Sequence, residues 1–239
     1  MTFTFSIRTA LKRAWQIFKK RPLFFSSLAF VMIIFNLFAR VHSQNTALLV
    51  IVGIAVLLWS YVWMSVALAA VDGKEATLTF KSLSLHMPNF RQFFMIILVG
   101  IVWIIIVALG FIIPLIPVVY ITGYISFGSI KIVIALLLLL GFIIFLIPGV
   151  YLATRLAFTT MVYVDRQGSV GASLKHSWRL VDGKIFWTVF LVIIVQAVLV
   201  TAGAALFMVG LLIAYPLAIL LFTQLYRAIG AYYRQSISV

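Results

Sequence analysis

The chain has 239 residues, of which 65% are hydrophobic and 9% are charged, and its mean hydropathy is +1.25. These values exclude a soluble globular domain and indicate an integral membrane protein that crosses the bilayer several times. Eighteen Lys and Arg against four Asp and Glu give a net charge of +14, which in a membrane protein favours anionic lipid rather than nucleic acid as the partner. The chain has no cysteine, which excludes disulfides and Cys-based metal sites or nucleophiles.

The first predicted element is an amphipathic helix over residues 5–20. Its apolar face consists of Ile7, Leu11, Ala14, Trp15 and Phe18, and its cations are Arg8, Lys12, Arg13, Lys19 and Lys20. The pattern is typical of a helix that lies along the membrane surface with its cations toward lipid phosphates. The alternative is a solvated arm that only satisfies the positive-inside rule.

Two apolar runs follow, at 22–39 and 46–71, and predict a first pair of membrane spans. A helix is then predicted in the connection 72–92, with Thr77 as its N-cap, although its apolar residues fit no single period. The third span is predicted over 93–113, ended by Pro114, with an interfacial connection over 118–131.

The fourth apolar segment, 130–164, would be ~52 Å long as one helix, against a hydrocarbon core of roughly 30 Å. It therefore cannot be one straight span. Pro148 and Gly149 are the predicted structural break, because proline removes a backbone hydrogen bond and clashes with the preceding turn.

A second amphipathic helix is predicted after Ser169, which is its expected N-cap. Its apolar face is predicted to contain Val170, Leu174, Trp178 and Val181, opposite Lys175, His176, Arg179 and Asp182. The fifth and sixth spans are predicted over 185–207 and 211–231.

Residues 164–187 recur twice in weaker form. Residues 6–24 align with them without a gap at an offset of 163, which places Lys12 on Lys175 and Trp15 on Trp178, and the weaker copy begins at Val71. The chain is therefore predicted to be one all-α membrane domain of six transmembrane helices, built as three repeats, about 1–71, 72–164 and 165–239. Each repeat is an interfacial amphipathic helix followed by a transmembrane hairpin.

An even number of crossings returns the chain to the same side of the membrane after each hairpin. Arg40 and Lys131 are the cations assigned to the opposite surface, and the other 16 belong to the repeat side. The positive-inside rule then predicts that both termini and all three copies are cytoplasmic.

Catalytic chemistry has little support in this sequence. His42, His86 and His176 lie in different connections, no paired acids or phosphate-binding glycine loop are present, and no cofactor is expected. A metal site that combines His86 and His176 with Asp72 or Asp165 is conceivable but has no supporting ligand spacing. The polar residues within the predicted spans, Asn36, Gln196 and Gln224, either join helices or line a path.

The run Leu146-Ile-Pro-Gly-Val-Tyr-Leu152, then Arg155, Val164-Asp165, Gly168 and Ser177-Trp178, resembles a known family. It is similar to the membrane domain attached to prokaryotic glycerophosphoryl diester phosphodiesterases, and to the related YciC-like bacterial inner-membrane proteins. The resemblance implies a bacterial plasma-membrane protein with six spans. It does not imply phosphodiesterase activity, which belongs to a separate soluble barrel domain.

These observations favour a non-enzymatic protein that binds or organises anionic phospholipid, or anchors a protein partner or a second copy, at the cytoplasmic leaflet. A subunit of a small-solute or lipid transporter or channel is the alternative. The candidate lipid-binding or ligand-binding residues are Arg155, Lys12, Lys19, Lys20, Lys175, Arg179 and Lys184. Arg155 is expected near mid-membrane with no acid at its depth, so it either faces the bundle interior and binds an anion or extends to the interface.

Overall fold

The computed structural model describes residues 3–74, 77–124, 147–206 and 209–237. Over these residues the chain forms nine α-helices and no strand, as expected for an all-α protein. The helices are α1 Ile7–Lys20, α2 Pro22–Val41, α3 Thr46–Ala69, α4 Phe90–Tyr124, α5 147–155, α6 Thr159–Arg166, α7 Val170–Leu180, α8 Lys184–Ala205 and α9 Leu211–Ile237.

Six helical stretches in the described part of the chain are long and apolar enough to cross a bilayer. They are Pro22–Val41, Thr46–Lys74, Phe90–Gly110, Ile147–Arg166, Lys184–Ala205 and Leu211–Gln235. A helix of about 20 residues covers the roughly 30 Å of a hydrocarbon core. The prediction of an all-helical, multi-pass membrane protein is confirmed at this level.

Several helices begin where local chemistry predicts. The side chains of Ser6, Asn45 and Ser169 accept hydrogen bonds from backbone N–H groups in the first turns of α1, α3 and α7, which confirms Ser169 as an N-cap. Pro22 occupies the first position of α2, where its missing N–H removes no helical hydrogen bond.

Helix α9 lies at the centre of the bundle and packs against α1, α2, α3 and α8. Leu220 belongs to a core with Phe25 of α2 and Trp63 of α3. Leu221 belongs to a second core that includes residues of α6 and α8. The two cores therefore meet at α9, and this helix holds the surrounding spans in their relative positions.

Helix α4 does not end at Pro114. Its backbone stays helical to Tyr124, through both Pro114 and Pro117, so the predicted end of the helix at Pro114 is wrong, whereas the apolar span Phe90–Gly110 lies close to the predicted 93–113. Proline is compatible with helical φ and removes one hydrogen bond, whereas unwinding the chain would leave several backbone groups without partners in an apolar medium. Residues 125–131 of the predicted interfacial connection lie outside the described residues.

The predicted break at Pro148 and Gly149 stays a prediction, because the residues before 147 lie outside the described residues. From 147 the chain is helical to 155, and an interruption that the sequence did not predict follows as a turn at 156–158. Two carbonyls beside this turn accept side-chain donors. The Ser177 hydroxyl donates to the Arg155 carbonyl at 3.0 Å, and the Trp103 indole donates at 3.1 Å to the Leu156 carbonyl, which also accepts the Thr159 N–H. Partners from neighbouring helices therefore stabilise this turn.

The connection between the second and third spans forms no amphipathic α-helix in its described residues. It consists of a π-type turn, Ala70–Lys74, and a short 3₁₀ helix, Lys81–His86. Thr77 is not an N-cap, because its hydroxyl donates to the carbonyl of Lys74. The absence of a helical period explains this result. Within the described residues, amphipathic α-helices occur at α1 and α7, the places of the first and third predicted copies.

The buried faces of these two amphipathic helices differ from the predicted apolar faces. In α1 the buried side chains are Ala10, Ala14, Ile17 and Phe18, whereas Trp15 is 38% exposed. In α7 the buried side chains are Ser173, Ser177 and Leu180, whereas Trp178 is 39% exposed. The two buried serines of α7 are each satisfied by a backbone carbonyl: Ser173 donates to the Ser169 carbonyl of its own helix, and Ser177 donates to the Arg155 carbonyl.

Candidate functional site

The start of the chain, the ends of three spans and α7 meet at one end of the bundle. The Gln224 amide donates to the Ala10 carbonyl at 3.1 Å, which joins α9 to α1. The Tyr233 hydroxyl donates to the Arg179 carbonyl at 3.2 Å, which joins α9 to α7. We call this region, with the Ala70–Lys74 turn and the end of α6, the basic end.

Arg227 of α9 holds the basic end together. Its guanidinium donates two hydrogen bonds to Asp72, at 2.6 and 2.9 Å, and one to Asp165 at 2.9 Å. Tyr226 also donates to Asp165 at 2.9 Å. One arginine thus joins the ends of α3 and α6, and its fork geometry suits this double engagement of carboxylates. Sequence reasoning missed this role, because 155 residues separate Arg227 from Asp72.

A short signal for these acid sites does exist in the sequence. The tetrapeptide Val-Asp-Gly-Lys occurs twice, at 71–74 and at 181–184. Its glycine has a positive φ in both places, +84° and +51°. Its aspartate pairs with an arginine from another helix in both places, Arg227 and Arg155. The motif therefore turns the chain out of a helix and presents a carboxylate to a distant arginine.

Arg155 lies at the corner where α7 ends and α8 begins. Its Nε donates to the Tyr151 hydroxyl at 3.0 Å, and Nη1 donates to the carbonyls of Trp178, at 3.1 Å, and Val181. Its Nη2 forms a salt bridge of 3.1 Å with Asp182. The guanidinium also lies 5.0 Å from the centre of the Trp178 ring.

The expectation that no acid lies near Arg155 is therefore wrong. Asp182 follows Arg155 by 27 residues, and α7 folds back to bring the two together. The Arg155 side chain is 13% exposed, and four of its five N–H donors are directed at protein acceptors. The residue satisfies the carbonyls at the end of α7, where a cation is favoured by the helix dipole.

A cavity of about 710 Å³ adjoins Arg155. Its walls are mostly apolar and include Val150, Phe186, Trp187 and Phe190. Its polar groups, Arg155 and Asp182, already bind each other. Shape and chemistry suit an acyl chain better than an anionic headgroup.

The cations of α1 surround a second cavity, of about 470 Å³, between α1 and the Ala70–Lys74 turn. Arg13, Lys19 and Lys20 line it, and none of its lining residues in the described chain is acidic. Lys12 is exposed on the same helix outside the cavity. Lys19 lies 5.1 Å from the centre of the Trp15 ring, so a cation and an interfacial aromatic are adjacent here.

A third cavity, of about 320 Å³, lies between α6 and α7, and we call it the α7 cavity. Arg166, Lys175, His176 and Arg179 line it, again without an acid among the residues that the structure describes there. The structure thus brings Lys175 and Arg179 together and adds Arg166. Lys184 is exposed at the start of α8 and does not line this cavity.

The described histidines have separate environments. Partial burial lowers the pKa of His176, and the neighbouring Arg166 and Arg179 lower it further. Burial also lowers the pKa of His86, whose Nδ1 lies 2.7 Å from the Ser65 hydroxyl. Over the described residues no group of three or more His, Asp or Glu could hold a metal ion, which removes support for the conceivable site of His86 and His176.

Two of the three amides within the spans, Gln196 and Gln224, join neighbouring helices. Gln196 donates to the Ala218 carbonyl at 2.7 Å and so bridges α8 and α9. Asn36 donates to the Met32 carbonyl of its own helix at 2.8 Å. With Gln224 bound to α1, these contacts favour helix packing over a polar path through the bundle.

Comparison of the chain with family models, curated proteins and solved structures gave no match. The resemblance to the membrane domain of the phosphodiesterases therefore stays a prediction, which rests on the residues named for it above.

Proposed function

We propose that this is a non-enzymatic integral membrane protein that binds or organises anionic phospholipid at its basic end, in the cytoplasmic leaflet of a bacterial plasma membrane. The observation that carries the proposal is the pair of cavities on α1 and α7. Each is lined by three Lys or Arg side chains, and no acid of the described chain lines either one.

The distribution of acids supports this proposal. All three aspartates of the chain pair with Arg155 or Arg227, and none of them lines either cavity. An excess of positive charge therefore stays on the α1 and α7 surfaces. Juxtamembrane cations attract anionic lipid by about 1 kcal/mol each, and the exposed Trp15 and Trp178 are residues typical of the interface.

Anchoring of a protein partner or a second copy at the same surface is compatible with this proposal, because lipid contacts would hold the surface at the membrane. The transporter alternative loses support, since Gln196 and Gln224 bond to backbone carbonyls of neighbouring helices. Transport paths commonly need several converging polar groups.

Quenching of tryptophan fluorescence by brominated lipids in reconstituted vesicles tests the proposal. Brominated phosphatidylglycerol should quench more strongly than brominated phosphatidylcholine. Neutralising the cations of either surface should reduce this preference by a few kcal/mol at most, and added salt should also reduce it. The α1 variant carries Lys12→Gln, Lys19→Gln and Lys20→Gln, and the α7 variant carries Lys175→Gln, Arg179→Gln and Lys184→Gln.

Arg40→Gln is the matched control, because Arg40 is assigned to the opposite surface and should not contribute. An unchanged preference in both neutralised sets would mean that these cations only orient the protein, and the proposal would be wrong.

A further inference from the structure

The α7 cavity differs in chemistry from an ordinary cationic surface. Arg166, Lys175 and Arg179 bring three permanent positive charges to one space of about 320 Å³. Asp165 is the nearest acid in sequence, and it accepts hydrogen bonds from Arg227 and Tyr226 at 2.9 Å each. No hydrogen bond or salt bridge of the Arg166 side chain occurs within the described chain. No acid of the described residues lines this cavity beside these three charges.

His176 lies in the wall between this cavity and an adjoining cavity of about 410 Å³, and Arg166 lines both. The ionisable groups around the ring come from three helices. They are Asp165 and Arg166 of α6, Lys175 and Arg179 of α7, and Tyr226, Arg227, Tyr233 and Arg234 of α9. The cations of this set outnumber the single carboxylate, so the empty site favours the neutral ring and an added anion would favour the protonated one.

The number of charges indicates the class of ligand. A phosphodiester headgroup carries one negative charge and would leave two of the three cations unmatched. A phosphate monoester carries a charge of about −1.5 to −2 near neutral pH and has three terminal oxygens that accept hydrogen bonds. The apolar side chains of Val162 and Ala172 complete the wall and suit a carbon-bearing group beside the phosphate.

We infer that the α7 cavity binds a phosphate monoester, either on a lipid headgroup or on a small molecule, through Arg166, Lys175 and Arg179, and that His176 takes up a proton when it binds. This inference rests on the proposed function, because it assigns a headgroup class to one of the two basic cavities.

Binding to the intact protein in nanodiscs tests the inference. Two series of nanodiscs, one with phosphatidic acid and one with phosphatidylglycerol, are matched in surface potential. A third series contains only neutral phosphatidylcholine and is titrated with inorganic phosphate. Phosphatidic acid or inorganic phosphate should bind at least about tenfold more tightly to the wild type than to Arg166→Gln. Arg40→Gln, an exposed cation assigned to the opposite surface, is the control and should bind as the wild type does.

The change in the pKa of His176 on ligand addition, measured by NMR, is a second readout. A purely structural role of Arg166 would not produce this change. The chain has three histidines, so His176→Gln identifies the signal of His176. Its pKa should rise when phosphatidic acid or phosphate is added, and Lys175→Gln should reduce the rise if Arg166→Gln does not fold.

Tight binding of phosphatidic acid alone would support the inference with a lipid as the source, and equal binding of free phosphate would support it with a soluble source. Equal binding of phosphatidylglycerol and phosphatidic acid, with no shift at His176, would overturn the inference and leave the proposed function standing. No preference for either anionic lipid over phosphatidylcholine would overturn the proposed function itself.

Discussion

At the scale of single residues, several buried or half-buried polar side chains of the described bundle donate to backbone carbonyls of other helices. Ser177 donates to the Arg155 carbonyl, Trp103 to the Leu156 carbonyl, and Gln196 to the Ala218 carbonyl. Such bonds matter most in an apolar medium, where water cannot replace a lost partner. Irregular backbone at 156–158 is therefore stable because specific side chains from other helices reach it.

Ser177→Ala should reduce the stability of the protein by about 1–3 kcal/mol, because the Arg155 carbonyl loses its side-chain donor in a buried place. Ser173→Ala is a matched control. Ser173 is equally buried, but its hydroxyl donates to the Ser169 carbonyl, which already accepts the Ser173 backbone N–H, so little should be lost. Thermal unfolding in detergent measures the stability of both variants. Equal losses of stability would contradict the role of Ser177 as the donor that satisfies the Arg155 carbonyl.

Arg155→Leu should destabilise the protein by on the order of 3 kcal/mol, because the carbonyls of Trp178 and Val181 lose a charged donor. The salt bridge contributes little of this, since the Asp182 side chain is 69% exposed. Arg155→Lys keeps the charge but cannot reach both carbonyls, so it should show an intermediate melting temperature. A lysine variant as stable as the wild type would show that charge alone matters here.

At the scale of elements, α8 and α9 approach each other more closely than any side chain would allow. A Cβ placed on Gly203 would lie 2.7 Å from the Ala214 Cβ and 3.0 Å from the Gly210 carbonyl oxygen. Small residues at this crossing let two backbones pack directly, which is a common way to join helices where no hydrophobic driving force exists between them. Helices α8 and α9 are therefore in close backbone contact at this crossing.

Gly203→Ala should separate α8 from α9 and reduce stability by about 1–3 kcal/mol, through overpacking against backbone atoms. Gly230→Ala, in open space on α9, should be neutral or stabilising by up to about 1 kcal/mol, because alanine favours the helix. The measurement is the unfolding midpoint of each variant, compared with that of the wild type. A neutral Gly203→Ala would show that this crossing can shift without cost.

How far the sequence predicts these elements depends on the kind of signal. Apolar run length predicts the starts of the first, second and sixth spans, because membrane thickness sets that length. The faces of α7 and the turn at 156–158 are not predictable in this way, since Ser177 turns inward to serve a carbonyl 22 residues away. Candidate cations such as Lys175 and Arg179 follow from helical spacing, whereas Arg166 joins them only through the tertiary fold.

At the scale of the whole molecule, the ion pairs and the basic cavities lie at one end of the bundle. Arg227 binds the ends of α3 and α6 there, while α1 and α7 contact α9 through Gln224 and Tyr233. All three aspartates of the chain pair with arginines at corners of the fold, and the outer surfaces of α1 and α7 are cationic. This segregation of charge is what orients a multi-pass protein and attracts anionic lipid.

Cysteine labelling in intact cells tests the expected orientation, and the cysteine-free chain provides a clean background. Single cysteines at Ser43 and Ser129 should react with an impermeant reagent from outside, and a cysteine at Ser169 should react only after permeabilisation. Labelling of the Ser169 position in intact cells would place the basic end outside and would contradict the cytoplasmic assignment.

Native mass spectrometry of the wild-type protein, extracted gently from its membrane, tests the central claim most directly. If the basic end binds anionic phospholipid, these lipids should remain attached at low collision energy and in excess of their share in the membrane. A variant in which six cations of α1, α7 and the start of α8 are neutralised should lose the bound anionic lipids. Its substitutions are Lys12→Gln, Lys19→Gln, Lys20→Gln, Lys175→Gln, Arg179→Gln and Lys184→Gln. A wild-type protein that emerges without lipid, or with zwitterionic and anionic lipids in membrane proportion, would contradict the account.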